Sequence, residues 1–131
     1  MMLRILSIAP AYRLGITLVF VGLVVALSIA PGIERPNDSL FGWLVVNTAT
    51  PIQKAMHVGV YAALAVLWMW TLESVESRVM RISLTLVATV GLGAILEWQQ
   101  TRVPGRFGTV ADVLLNMLGA ILGLFAALLL F

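Results

Sequence analysis

Cysteine is absent from the 131-residue chain, which excludes disulfides, thiolate metal centres and cysteine nucleophiles. Charge is scarce: eight basic and six acidic residues make up 11% of the sequence, against about 25% in a soluble globular domain. The arginines stand singly or in pairs and the net excess is only +2, so no basic run tracks a phosphate backbone and nucleic acid is not an expected partner. No repeat, low-complexity tract or shift of composition marks a second domain.

What the chain has in excess is apolar, 61% of its residues. A water-soluble fold of this length leaves too much surface exposed to hide that fraction. Four membrane helices of about 20 residues need about 80 mostly apolar positions. Four stretches supply them: Leu14 to Ala30, Ala55 to Leu72, Ile82 to Leu96 and Val113 to Phe131. Each is apolar around its whole circumference, the pattern of a helix surrounded by lipid or a bundle interior. The expected fold class is all-α, a single domain over residues 1–131 built as an integral membrane bundle of four transmembrane helices. The apolar core of the first stretch exceeds the roughly 7–15 residues of a secretory leader, and Pro31 would follow the cleavage point, so an uncleaved span is expected.

The connections differ in character. Pro31 to Gln53 is the longest and carries the turn formers Pro31, Gly32, Pro36, Asn37, Asp38 and Pro51. Within it, Leu40 to Val46 is too short to span but suits a short interfacial helix, with Trp43 in the aromatic belt. Glu73 to Arg81 is short and polar; Gln99 to Ala111 holds Arg102, Pro104, Gly105, Arg106 and Gly108. Orientation by the positive-inside rule is a tie, with Arg4, Arg13, Arg78 and Arg81 on one face against Arg35, Lys54, Arg102 and Arg106 on the other. If Lys54, Arg102 and Arg106 are held in a site, the free charges become four against one, and both termini are expected in the cytoplasm.

Antiparallel spans gather the unusual polar residues on one face, that of the long loops. His57 opens the second span, Glu97 closes the third, Arg102 and Arg106 follow in the loop, and Asp112 and Asn116 open the fourth. The other face has no comparable set within its helices. Lys54, His57 and Tyr61 fall on one helical stripe, Glu97 and Gln100 are three apart, and Asp112, Asn116, Gly119 and Gly123 share a face that ends in a Gly-xxx-Gly spacing suited to close helix contact. Ile82 to Leu96 is about five residues short of a crossing. The helix must therefore continue, which puts Glu97 about 7 Å inside the boundary at 1.5 Å per residue. A carboxylate there costs roughly 2–3 kcal/mol unless paired, hydrated or protonated, and this makes Glu97 the strongest functional candidate.

Plainer readings stand beside these. His57 could be an interfacial hydrogen-bonding residue, Asp112 a cap on the fourth helix, and Arg102 and Arg106 headgroup contacts. Asn116 could be interhelical glue, and Trp68, Trp70 and Trp98 belt or packing residues. What favours a site is the coincidence of all the polar residues on one face.

His57-Val58-Gly59-Val60-Tyr61-Ala62-Ala63-Leu64, Glu97-Trp98-Gln99-Gln100, Pro104-Gly105-Arg106, Asp112 and Asn116-Met117-Leu118-Gly119 together resemble the VanZ-like family. The likeness is to its H-xxx-Y, E-xx-Q, (P)G-R-x₅-D-xxx-N-xx-G arrangement and covers roughly Gln53 to Gly123. Where members often carry Asp before the Lys-xx-His segment, this chain has Gln53. The resemblance implies a small four-helix protein of the bacterial cytoplasmic membrane, related to a founding member associated with low-level resistance to the glycopeptide teicoplanin. Its polar positions map to His57, Tyr61, Glu97, Gln100, Arg106, Asp112 and Asn116.

Two classes of function compete. In the first, an enzyme acts on an anionic lipid headgroup or a lipid-linked envelope precursor. Arg106 and Lys54 would hold a phosphate, with Tyr61, Gln100 and Asn116 completing the binding set. Glu97 or His57 would serve as general base, and Asp112 would orient His57 or Arg106. In the second, a non-catalytic membrane module binds an anionic lipid, an antibiotic or a partner protein. A metal variant on His57, Glu97 and Asp112 is chemically plausible. One histidine and no tight ligand spacing are a weak signal for it, so no metal or other cofactor is expected. Transport is disfavoured by the short chain and the lack of an inverted repeat.

Overall fold

The computed structural model describes residues 8–30 and 40–131. Among the described residues five α-helices follow in order: α1 (Pro10–Ile29), α2 (Leu40–Asn47), α3 (Thr50–Thr71), α4 (Arg78–Gln100) and α5 (Val110–Leu130). A 3₁₀ turn, Leu72–Ser74, continues α3, and no strand occurs among the described residues. The four long helices are long and apolar enough to cross a membrane, and α2 is the short helix expected in the first long loop. Arg4, Glu34, Arg35 and the turn formers Pro31, Gly32, Pro36, Asn37 and Asp38 lie outside the described residues.

Each long helix begins several residues before its apolar stretch, because its first turn is stabilised locally through polar sequence. Pro10 and Pro51 sit in the first turns of α1 and α3, where a missing N–H costs nothing. The Ser77 side chain accepts from the Met80 N–H at 3.3 Å to start α4, and Thr109 caps α5 by accepting from the Asp112 N–H at 3.1 Å. Asp112 is thus not the cap it could have been; Thr109 is. At its far end α4 runs on to Gln100, as the depth argument for Glu97 requires.

The bundle is arranged for lipid. Val87, Ile95, Phe125 and Leu129 are exposed, while Thr17, Thr85, Thr89, Glu97, Gln100 and Asn116 are buried. The tightest packing is between α3 and α5, which run in the same direction. A side chain at Gly119 would collide with the Val58 carbonyl, and one at Gly123 with the Ala62 carbonyl. The two backbones therefore lie in contact along the Gly-xxx-Gly stripe. That contact sets Asn116, one turn earlier on α5, beside His57 on α3.

At the opposite end α1 is fastened by polar contacts that the sequence did not lead us to expect. Arg13 is 6% exposed. Its guanidinium pairs with Glu73, donates to the Trp70 carbonyl at 3.2 Å and lies over the Trp70 ring. Below it Thr17 and Thr71 share a hydrogen bond of 2.7 Å. The face that was to have no polar set within its helices has this one, because a charge flanking an apolar run can turn inward when a carboxylate on the next helix reaches it. Arg13 is consequently not a free topogenic charge, while Lys54 and Arg102 are exposed on the other face, so the arginine and lysine count remains balanced.

Gly119→Val and Gly123→Val each force two backbones apart and are expected to cost roughly 3 kcal/mol or more, seen as loss of folded protein in a denaturant titration in micelles. A Cβ at Gly91 would meet nothing within 4 Å, so Gly91→Ala should stay within about 1 kcal/mol of the parent.

Candidate functional site

The residues that cluster come from three helices and the loop between two of them. His57 lies on the second turn of α3, Glu97 on the last turn of α4, and Asp112 and Asn116 on the first turns of α5. His57 Nδ1 is 2.7 Å from Asn116 Oδ1 and 3.6 Å from Glu97 Oε1. Glu97 is 4% exposed and Asn116 1%; His57 and Asp112 are half-buried. One ligand atom each from His57, Glu97 and Asp112 lies within 4.8 Å of the others. These are the groups among the described residues that could hold a metal ion.

The loop from 101 to 109 closes over this cluster. Pro104 and Gly105 form a tight turn sealed by the Arg106 N–H donating to the Val103 carbonyl at 3.1 Å. Gly105 has φ 72°, a conformation side chains with a Cβ resist, and Pro at the preceding position fixes the turn's entry. This is the local reason for a Pro-Gly-Arg sequence. At the end of the loop the Thr109 N–H donates to Glu97 Oε2 at 3.4 Å. In a local capping box that N–H would have gone to the side chain three residues on. Because Glu97 takes it, the Asp112 carboxylate is left to face the cluster.

Arg106 and Gln100 reach across to α1. Arg106 donates to the Leu27 carbonyl and Gln100 to the Ser28 carbonyl, each at 3.3 Å. Both carbonyls belong to the last turn of α1, where the helix has no partner for them. Burial pulls the Arg106 pKa down while the charges of Glu97 and Asp112 hold it up, and the group remains a cation at neutral pH.

A cavity of about 350 Å³ opens beside the cluster, between α1, α2 and α3. Its walls are apolar side chains such as Val24, Leu27, Leu44 and Val60, and its polar edge includes His57, Tyr61, Gln100 and Arg106. Of the eight sequence candidates, then, His57, Glu97, Asp112 and Asn116 meet directly, and Tyr61, Gln100 and Arg106 line the adjoining cavity. Lys54 does neither. It is exposed in the first turn of α3, where an ammonium keeps its water. Arg102 is also exposed and lies over Trp98, 4.2 Å from the ring centre.

Three contributors carried too little signal in the sequence. Gly93, one turn before Glu97, leaves the space that Tyr61 and Asn116 fill, since a Cβ there would come within 2.9 Å of the Tyr61 ring. Thr109 supplies a backbone group. Gln53 donates to the Val45 and Thr48 carbonyls, both at 2.9 Å, and so ties α2 over the cavity; a carboxylate at this position could not donate either bond.

The sequence model of the VanZ/LLP1 family matches residues 12–131. No curated protein matches the chain, and no solved structure does.

Gly105→Ala is expected to strain the turn by roughly 1–2 kcal/mol and to loosen the Arg106 and Thr109 contacts. Thr101→Ser, in the same loop, should leave them intact. Denaturant titration of the two variants, with the fluorescence of Trp98 as the local probe, checks the difference.

Proposed function

The chain belongs to the VanZ/LLP1 family of multi-pass membrane proteins, and from that premise we propose that its long-loop face takes up an anionic lipid headgroup or a lipid-linked envelope precursor. The observation that carries this reading is the cavity of about 350 Å³ with apolar walls and one polar edge that contains a half-buried arginine. Sites for small ligands are of this size and character. An acyl or isoprenoid chain suits the walls formed by α1, α2 and α3. A phosphate suits Arg106, whose guanidinium has five donors and uses one on Leu27. Tyr61 and Gln100 stand beside it on the same edge.

In this reading the protein resides in the bacterial cytoplasmic membrane with the site at the outer leaflet and both termini in the cytoplasm, and a bound envelope precursor links it to teicoplanin tolerance. Whether the headgroup is also transformed turns on His57 and Glu97, which lie next to the cavity edge and within 3.6 Å of one another. That pair favours chemistry over mere retention, because a binding site for anions alone gains nothing from a buried carboxylate at its edge.

Protein purified in nanodiscs should retain an anionic lipid over phosphatidylcholine, and Arg106→Ala should weaken that retention at least tenfold, in line with loss of a charge-assisted pair. Glu97→Gln and His57→Ala should keep the lipid and lose both turnover and the tolerance phenotype. Equal retention by the parent and Arg106→Ala would remove the headgroup reading; full activity in Glu97→Gln and His57→Ala would leave a binding module. Since the chain has no cysteine, single substitutions Glu76→Cys and Arg102→Cys report orientation directly. A membrane-impermeant maleimide should label only the second in intact cells.

A further inference from the structure

His57, Glu97 and Asp112 come from three separate membrane helices, yet their ligand atoms lie within 4.8 Å of one another. Two carboxylates this close repel one another unless a proton or a cation lies between them. Arg106 supplies part of the positive charge through space, acting on both carboxylates, but no described cation hydrogen-bonds to either. Arg106 donates to the Leu27 carbonyl and to neither carboxylate. Glu97 receives one long hydrogen bond, from the Thr109 backbone. The Asp112 carboxylate accepts none from a described residue. His57 Nδ1, the ring nitrogen turned toward the cluster, stands 2.7 Å from Asn116 Oδ1 and 3.6 Å from Glu97 Oε1.

Asn116 provides a second, independent observation. It is 1% exposed, its Nδ2 has no hydrogen-bond partner among the described residues, and its Oδ1 faces the same nitrogen that faces Glu97. An imidazole, two carboxylates and an amide oxygen converging from three helices form a nitrogen-and-oxygen donor set. Ligand atoms around an ion with bonds of about 2.0–2.2 Å stand about 3.0–3.4 Å apart. The separations of 2.7 Å and 3.6 Å from His57 Nδ1 bracket that range.

We propose that this cluster binds one divalent transition-metal ion, Mn²⁺ or Zn²⁺, through His57 Nδ1, the Glu97 and Asp112 carboxylates and Asn116 Oδ1. Both ions accept an imidazole alongside carboxylates, whereas Mg²⁺ and Ca²⁺ prefer oxygen alone. Two carboxylates and a divalent ion sum to zero charge, which is the arrangement a low-dielectric interior tolerates. The loop then has a second role: the Thr109 N–H on Glu97 Oε2 orients a metal-binding carboxylate, as outer partners of metal ligands do. The proposal goes beyond the lipid reading and does not depend on it.

The test uses full-length protein in micelles, stripped with EDTA, dialysed against MnCl₂ or ZnCl₂ and desalted, with MgCl₂ in parallel. The expected result is one equivalent of Mn²⁺ or Zn²⁺ per chain by elemental analysis, a rise in melting temperature on adding either ion, and little retained Mg²⁺. Glu97→Gln and Asp112→Asn should each lower affinity at least tenfold, and His57→Ala likewise, while Arg102→Ala, on the exposed loop, keeps the full equivalent. Parent protein that retains neither ion and shows no thermal shift at millimolar Mn²⁺ or Zn²⁺ overturns the proposal, with no variant needed. So does retention that survives Glu97→Gln together with Asp112→Asn, or Mg²⁺ binding as tight as Mn²⁺. Anionic-lipid retention measured on the same EDTA-treated samples separates the two readings: lipid without metal ends only this one, and metal without lipid ends only the other.

Discussion

Everything on the long-loop face depends on how closely α5 can lie against α3. Gly119 and Gly123 let the α5 backbone rest on the carbonyls of Val58 and Ala62, and in a membrane such contact takes the place of the hydrophobic drive that lipid does not provide. From that contact the rest follows by helical spacing. Asn116 arrives at His57, the Asp112 carboxylate one turn earlier comes within 4.8 Å of the His57 and Glu97 ligand atoms, and α4 closes the third side with Glu97. Gly93 admits the Tyr61 ring and the Asn116 amide between the helices. A side chain at Gly119 or Gly123 would push the two backbones apart, and one at Gly93 would meet Tyr61 and Asn116 themselves.

The same logic explains why polar residues here are buried and apolar ones exposed. In lipid an unpaired polar group has no water to turn to, and several of those here bond to backbone groups at helix ends. Arg106 and Gln100 cap α1, Thr109 caps α5, and Gln53 ties off α2. The candidate site thus draws on groups that also close helix ends.

Much of this was legible in the sequence, for a physical reason. A histidine, a glutamate or an asparagine inside an apolar helix must face inward, so topology alone brought His57, Glu97, Asp112 and Asn116 to one face, and the glycine spacing pointed to the close contact beside them. Hydropathy found four spans but started them late, because helices begin in polar residues such as Arg78 and Thr50 that carry no apolar signal. Lys54 shared the stripe of His57 yet faces outward, since a long cationic chain at a helix end keeps its hydration. The Arg13–Glu73 pair was hidden for the converse reason: both residues flank apolar runs and read as ordinary boundary charges. The partners of Arg106, Gln100 and Gln53 are backbone carbonyls, which no residue type announces.

One feature of α1 bears on behaviour as well as stability. Its two ends are held by side chains from other elements, with Arg13 on Glu73 at one and the donors of Gln100 and Arg106 on Ser28 and Leu27 at the other. The guanidinium that steadies the end of α1 is also the cation on the cavity's edge. Occupancy of that cation and the position of α1 are therefore thermodynamically linked, and by reciprocity each biases the other. An anion that draws Arg106 away from Leu27 unfastens one end of the helix, and a helix displaced at that end offers the anion a freer arginine. The first helix is in this sense a reporter of whether the arginine is engaged.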